Sequence, residues 1–473
     1  DVSLESAVNL AATTYSQVWD RLSLNDHRTT EARIDSILKV RPDLVIIAGG
    51  TEGGATKSVL RLIEAVGLSC FLMQKDRSPE VLYAGNTSMQ ESIADRLTKV
   101  ARLSVAANIR PGLEEERLNV AQAQIALLTA KIRSRQIPGL SELGEWAGGE
   151  IYPTAAAFGR IIRFLSKVHT SPKGVLGIDI GAASTTVAAA VAGELSLRVY
   201  PDLSLGERLP KLLEKTSIRS ILRWIPFDIS ESDVREYVYN KSLHPQTLPA
   251  TVRDLALEQA LARQVLSTAV AQASRAWENL RSMNSGEKRL NFEPILACGS
   301  VLTCVPKYIQ ALMMILDGLQ PVGTTTVVLD QNHVTAGLGA FASRYPEMAV
   351  QVLDSNAYLP LGTVISPVGQ ASPGSPILNV KMKYEDGREI VHEVKQGAIE
   401  IIPLAAGQTA QMQLHPYHRF DVGMGGPGNS GKLRVVGGAV GVVIDGRGRP
   451  LKIPEDPARR IELLKKWYWM SGY

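Results

Sequence analysis

One stretch of this sequence places phosphate-handling residue types in a phosphate-handling order: Asp179-Ile180-Gly181-Ala182-Ala183-Ser184-Thr185-Thr186. An apolar run from Val175 to Ile180 carries the aspartate. A turn of small residues and hydroxyls follows, and a second apolar run leaves from Val187 to Val191. Small residues let backbone amides close on phosphate oxygens, and hydroxyls add further donors. An aspartate at the strand end can hold Mg²⁺ directly or through water. The same pattern also suits an ordinary hairpin turn with a capping aspartate. The expected element is a hairpin rather than a strand–turn–helix unit, with Asp179 on a buried strand.

Roughly a hundred residues on, Ile295-Leu296-Ala297-Cys298-Gly299-Ser300-Val301-Leu302-Thr303 again runs from a buried strand through a glycine turn towards a helix. A third glycine turn, Gly49-Gly50-Thr51-Glu52-Gly53-Gly54, follows the strand Leu44 to Ala48 and precedes a helical pattern from Ala55 to Ala65. A helix start behind a glycine turn can cradle an anion. This turn lacks the G-K-[ST] ending of a P-loop. Gly49, Gly50 and Thr51 are therefore read as facing a cleft, with phosphate contact as the sharper alternative.

Other clusters read as structural. His415-Pro416-Tyr417-His418 with Asp421 has metal-ligand residue types, but the proline opposes a regular helix and no further ligand cluster accompanies it. Gly423 to Gly431 reads as a surface loop. The tail aromatics Trp467, Tyr468 and Trp469 are expected to pack on the preceding β-rich module. The three cysteines, Cys70, Cys298 and Cys304, form no C-x-x-C pair. They read as buried thiols of a reducing cytoplasm.

Those motifs need elements to position them. Residues 1–170 alternate strand and helix, which suggests a parallel sheet. Residues 171–345 open on a linker, Ser171 to Gly174, and contain the hairpin. They also hold a long helical stretch from Thr251 to Met283, a strand from Pro294 to Ala297, a helix from Pro306 to Leu316 and a strand from Thr324 to Leu329. Residues 346–473 are β-rich, with a hairpin turn at Asp386-Gly387 between alternating runs. Val440 to Ile444 before Asp445-Gly446 repeats that pattern, and a terminal helix starts behind Asp456-Pro457. The chain has 473 residues, 45% hydrophobic and 21% charged, with a net charge of +4. That balance fits a globular protein and opposes a dedicated nucleic-acid binder. No apolar run has the length to cross a bilayer. The chain opens on Asp1 rather than methionine, as a piece of a longer protein would.

The hairpin and the later strand–glycine turn, in that order and at that distance, resemble the actin, sugar-kinase and heat-shock-chaperone superfamily. The finer resemblance is to the MutL-type accessory protein of cobalamin-dependent glutamate mutase, which is unrelated to the mismatch-repair protein of that name. It rests on Ile47 to Gly54, Tyr83-Ala84-Gly85-Asn86, Asn108-Ile109-Arg110-Pro111, the hairpin at Asp179, Asp202-Leu203-Ser204-Leu205-Gly206, Leu319-Gln320-Pro321-Val322-Gly323 and Gly337-Leu338-Gly339-Ala340. It covers roughly residues 30 to 345.

The resemblance implies an α/β, actin-like (ribonuclease H-like) ATPase fold in two halves, residues 1–170 and 171–345, plus a β-rich C-terminal domain. Nucleotide would lie in the cleft between the halves, and ATP with Mg²⁺ would be the cofactors. Asp179 would hold the metal as the catalytic acid. Gly181, Ala182, Ala183, Ser184 and Thr185 would hold the phosphates, and Gly299 and Ser300 the nucleoside. The implied partner is a cobalamin-dependent mutase, and the task its assembly or reactivation. Ala182 stands where the family has a second glycine, and Thr186 where it has an aspartate. Nothing before residue 44 resembles the family's earlier phosphate hairpin. These departures predict weak ATP binding with slow hydrolysis or none. They keep open a non-hydrolysing actin-like scaffold and, as a further rival, a small-molecule kinase of the same superfamily.

Overall fold

The computed structural model describes residues 2–54, 56–73, 78–148, 151–169, 173–278, 280, 291–417 and 419–472. It divides into two compact units: residues 1–157 with 196–199, and residues 158–195 with 200–473. By contacts the chain divides near residue 157, and residues 346–473 fall in the unit that holds the hairpin.

In the first unit, β1 (Leu44–Ile47), β2 (Glu80–Tyr83) and β3 (Arg102–Val105) form a parallel sheet in the order β1-β2-β3. β2 is buried along its whole length, as a central strand covered on both faces must be. The helix Lys57–Leu72 follows β1, and Ile63 and Val66 on it pack with Ile47 and Val81. Among the described residues, the helices Val2–Ala12 and Thr30–Val40 precede β1 and no strand does.

The second unit is built on an eight-stranded sheet, ordered β12-β15-β9-β8-β7-β4-β5-β6. Its strands are β4 (Gly174–Ile180), β5 (Thr185–Val191), β6 (Glu194–Tyr200), β7 (Phe292–Cys298), β8 (Gly323–Leu329), β9 (Leu359–Ser366), β12 (Ile399–Ile402) and β15 (Val442–Asp445). β5 is buried along all seven residues, so helices or loops must cover both faces there. Gly177 in β4 marks the closest approach: a Cβ on it would lie 2.5 Å from Ile162 of the helix Thr154–Val168. The helix expected over Thr251 to Met283 begins at Val252 behind a Thr251–Asp254 capping box and ends at Ala273. Met283 lies outside the described residues. This helix packs on the helix Tyr308–Leu319, where Gly318 leaves room for Leu266.

A four-stranded antiparallel sheet, β11-β10-β13-β14, completes the unit and shares a second core with Ile365, Ile402, Val442 and Ile444 of the larger sheet. Its strands are β10 (Pro376–Tyr384), β11 (Glu389–Lys395), β13 (Thr409–Pro416) and β14 (Gly431–Val436). Val380 and Met382 point into that core while Lys381 and Lys383 alternate with them, and Gly387 turns the hairpin at φ +88°. The expected hairpin at Asp445-Gly446 does not form: β15 runs parallel to β9, and no strand follows it among the described residues. The terminal helix Pro457–Ser471 is capped by Asp456. Of its aromatics, Trp467 is buried with Nε1 donating to Gly397, Tyr468 donates to the Trp224 carbonyl, and Trp469 is 83% exposed. Only part of the expected aromatic packing is therefore present.

Candidate functional site

The apolar character of β4 and β5 carries the hairpin. Asp179 stands opposite Thr186 of β5 and beside Cys298 of β7. Cross-strand partners share a face, so Asp179, Thr186 and Cys298 project together. Ile180 and Thr185 face the other way, opposite each other. The strand runs one residue past Asp179, and the turn spans Gly181 to Ser184 with the Gly181 amide donating to the Ser184 carbonyl at 2.9 Å. Ala182 and Ala183 are exposed at its tip. Their amides donate to nothing among the described residues. Ser184 is buried, and Thr185 is wholly buried with its hydroxyl unpartnered. The turn therefore presents backbone donors at 182 and 183, whereas the Thr185 hydroxyl sits on the core side.

Gly299 closes the base of this hairpin. At φ +115°, a Cβ on it would lie 2.3 Å from the Ile180 carbonyl oxygen. Its glycine identity is therefore fixed by contact with β4. Ser300 begins the short helix Ser300–Thr303 and is exposed.

A polar cluster that the motif search missed lies at the same end of the sheet. Asp330, just past β8, is fully buried and accepts from the Val334 amide at 2.9 Å, the Thr335 amide at 2.8 Å and the Thr335 hydroxyl at 2.5 Å. The Cys298 sulfur lies 3.2 Å from Nδ1 of His333, whose Nε2 lies 3.3 Å from the Thr303 hydroxyl. His333 holds this place in a left-handed conformation, φ +54°. The available signal was a run of polar residues, Asp330 to Thr335, directly behind a buried strand.

Burial pushes the Asp179 carboxyl above the ordinary range; the charge of Asp330 adds to this and His333 opposes it. No ion pair to Asp179 within 4.0 Å occurs among the described residues. Burial, with Asp179 and Asp330 nearby, also raises the Cys298 thiol, which stays protonated at neutral pH and is not a nucleophile. Among the described residues no group of three His, Cys, Asp or Glu side chains has metal-binding geometry. His418, part of the rejected metal reading, lies outside the described residues. A magnesium ion carried by a nucleotide needs only one or two protein carboxylates, with phosphates and water completing its shell. An aspartate with no ion pair, in the same hairpin as amides without acceptors, fits that donor set.

Gly49, Gly50 and Thr51 lie in the first unit, at the carboxyl end of β1. The three segments there lock together. Asn108 donates to the Gly50 carbonyl at 3.0 Å and to Glu52 at 2.8 Å, while Thr87 donates its hydroxyl to Glu52 at 3.0 Å. Asn86 donates its amide to the Gly49 carbonyl, and Glu52 its amide to Pro111. A Cβ on Gly85 would lie 2.5 Å from the Gly49 oxygen. These donors hold the Glu52 carboxyl below the ordinary range against burial. The carboxyl ends of parallel strands are where open α/β sheets bind ligands. The unit also has an apolar cavity of about 610 Å³ lined by Leu127, Ile137, Leu140, Ile151 and Tyr152, among others, which contains none of the expected site residues.

A family model described as MutL protein matches residues 1–357 of the 473. This chain belongs to the MutL protein family. Protein MutL of Clostridium tetanomorphum is 20% identical over 363 residues, covering 70% of this chain and 76% of that protein. Among solved structures, a Bacillus thuringiensis ParM hybrid protein with ADP, containing two ParM mutants, aligns with TM-score 0.18 at 12% identity over 74% of this chain and 43% of that one. The nucleotide-free structure of acetone carboxylase, from work on ATP-dependent acetone carboxylation, aligns with TM-score 0.24 at 12% identity over 73% of this chain and 60% of that one. The chain thus spans less than two thirds of either structure. Its α/β class rests on its own sheets, in the larger of which the antiparallel hairpin β4–β5 and the strand–glycine turn behind β7 lie side by side. No helix among the described residues of this MutL-family chain is long and apolar enough to cross a membrane.

Proposed function

We propose that this chain is an ATP-binding accessory protein that assists assembly or reactivation of a cobalamin-dependent mutase. The observation that supports nucleotide binding is the hairpin turn: the amides of Ala182 and Ala183 have no acceptor among the described residues, and they follow directly on the half-buried Asp179, which has no ion pair there. The turn amides would donate to phosphate oxygens, and Asp179 would accept a hydrogen bond from a metal-bound water or coordinate the metal itself. Mg²⁺, when bound with the nucleotide, supplies neutralisation of phosphate charge. Gly299 and Ser300 would lie against the nucleoside. The partner assignment is supported by family membership.

A non-hydrolysing variant of this reading has its own support. Thr186, 2% exposed, stands opposite Asp179 where the resemblance has an acid. Calorimetric titration with Mg·ATP tests binding. Recovery of an inactivated cobalamin mutase, with and without ATP, tests the task. No binding at millimolar Mg·ATP would reject the nucleotide reading. Binding without any effect on the mutase would reject the partner.

A further inference from the structure

The segment Asp202–Gly206 leaves β6 and runs against the outer side of the phosphate turn. Leu203 and Leu205 anchor it in the main core, together with Leu209 beyond it. The Leu205 amide donates to the Gly181 carbonyl at 3.1 Å. Gly206 then meets the turn itself: a Cβ on it would lie 2.3 Å from the Ala182 oxygen and 3.0 Å from the Ala182 Cβ. The backbone of Gly206 is not in the left-handed region, so its own conformation does not require glycine. Contact with Ala182 does. The interlock joins the position where this chain carries alanine in place of the family's second glycine to the one residue type that leaves room for the carbonyl of that alanine.

From this contact we propose that Asp202–Gly206 is a strut that fixes the shape of the phosphate turn, with Gly206 as a positioning residue. The strut bears on the residue whose amide is free at the turn tip. Backbone donors stabilise an anion most when they are already aimed before it arrives. A side chain at position 206 displaces the Ala182 carbonyl and so re-aims the donors at 182 and 183. Gly206 touches neither ligand nor metal in this scheme and acts through Ala182. The nucleotide consequence rests on the ATP reading above, whereas the strut itself does not.

Hydrogen–deuterium exchange across residues 181–191 of the ligand-free full chain tests the strut. Gly206→Ala is expected to lower protection there by about tenfold or more, the scale of local overpacking, while the β10–β11 hairpin stays unchanged. Gly206→Ala/Ala182→Gly removes the methyl at 3.0 Å but leaves the backbone carbonyl oxygen at 2.3 Å, so it is expected to stay close to Gly206→Ala in protection. The nucleotide consequence is read as a ratio of affinities. Gly206→Ala is expected to weaken Mg·ATP about tenfold or more and to leave adenosine binding near that of the wild type. Unchanged hairpin protection in Gly206→Ala overturns the strut, and equal loss for ATP and adenosine overturns its nucleotide consequence. If Gly206→Ala does not fold, Leu203→Ala, which loosens the strut's anchor in the core, carries the exchange test: lowered protection at 181–191 with an unchanged β10–β11 hairpin supports the strut, and unchanged protection at 181–191 or an equal loss in both hairpins overturns it. If wild-type protein binds no ATP, the ATP reading fails and the exchange experiment still decides the strut.

Discussion

Gly299 lies so close to Ile180 that a Cβ added to it would stand 2.3 Å from the Ile180 carbonyl oxygen and 2.9 Å from the Ile180 nitrogen. The turn read from sequence as a nucleoside cradle is thus also the clasp between β7 and the hairpin strand β4. Gly299→Ala combines this overlap with strain at φ +115°. The expected cost is about 2–4 kcal/mol, from backbone strain plus overpacking. Thermal or urea unfolding checks it. A loss under about 0.5 kcal/mol would mean that the clasp yields freely.

Asp179 carries opposite predictions for stability and for binding. Its folded-state pKa is raised, chiefly by burial. The folded protein therefore holds that proton more tightly than the unfolded chain. The associated stability is present below the ordinary carboxylate pKa and lost as pH rises through the raised value. At neutral pH the ionised group is a net cost, so Asp179→Asn should raise the melting temperature. The same change should weaken Mg·ATP by tenfold or more, since the metal requires the ionised form. In wild type, Mg·ATP affinity should fall as pH drops through the raised pKa. A variant that is less stable and binds unchanged would contradict both.

The hairpin was legible because its signals are local: an apolar run, small turn residues, a second run. The interlocked loops of the first unit were not. Gly49 to Gly54, Asn86 and Asn108 were visible as separate segments, but the bonds joining them cross long stretches of chain, 35 positions from Thr87 to Glu52 and 58 from Asn108 to Gly50. No periodicity reports such pairings. Asp330 and His333 were missed for the same reason, because their significance comes from Cys298 and Asp179 on neighbouring strands. Asp445-Gly446 shows the converse error. It has hairpin-turn residues, yet the Asp445 carboxylate is taken by Arg447 and Arg449, and the chain leaves the sheet.

That carboxylate belongs to a buried ionic chain. Arg263 donates to Asp317 at 2.7 Å, Arg447 bridges Asp317 and Asp445, and Arg449 donates to Asp445 at 2.6 Å. Burial would raise Asp445, but the charges and hydrogen bonds of Arg447 and Arg449 hold it far below the ordinary carboxylate range. With a depressed folded pKa, its contribution is present above the unfolded value of about 3.9 and lost as pH falls through the folded one. Asp445→Asn should cost about 3–5 kcal/mol at pH 7 by stripping counter-charge from buried guanidinium groups. The gap between variant and wild type should narrow below about pH 4. Melting curves at pH 7 and pH 3 check this; a gap independent of pH would remove the charge argument.

Thr186 offers the test of turnover. It faces Asp179 across the hairpin and is 2% exposed. An acid there stands beside the metal-holding carboxylate, where the family resemblance places one. Thr186→Asp should destabilise the ligand-free protein, because two buried carboxylates repel and one of them must take up a proton. Mg·ATP should offset that cost, since a divalent cation between the two relieves the repulsion. Thermal shift on adding Mg·ATP should therefore be larger in the variant than in wild type. Phosphate release should rise from a slow or absent wild-type rate, because a second acid orients the metal and its water. The expected gain is about tenfold, modest against the hundredfold or more that one well-placed transition-state donor can supply. Phosphate release by wild-type protein at ordinary enzyme rates, abolished in Asp179→Ala, would show that Thr186 does not limit turnover and that the native site is already a competent ATPase.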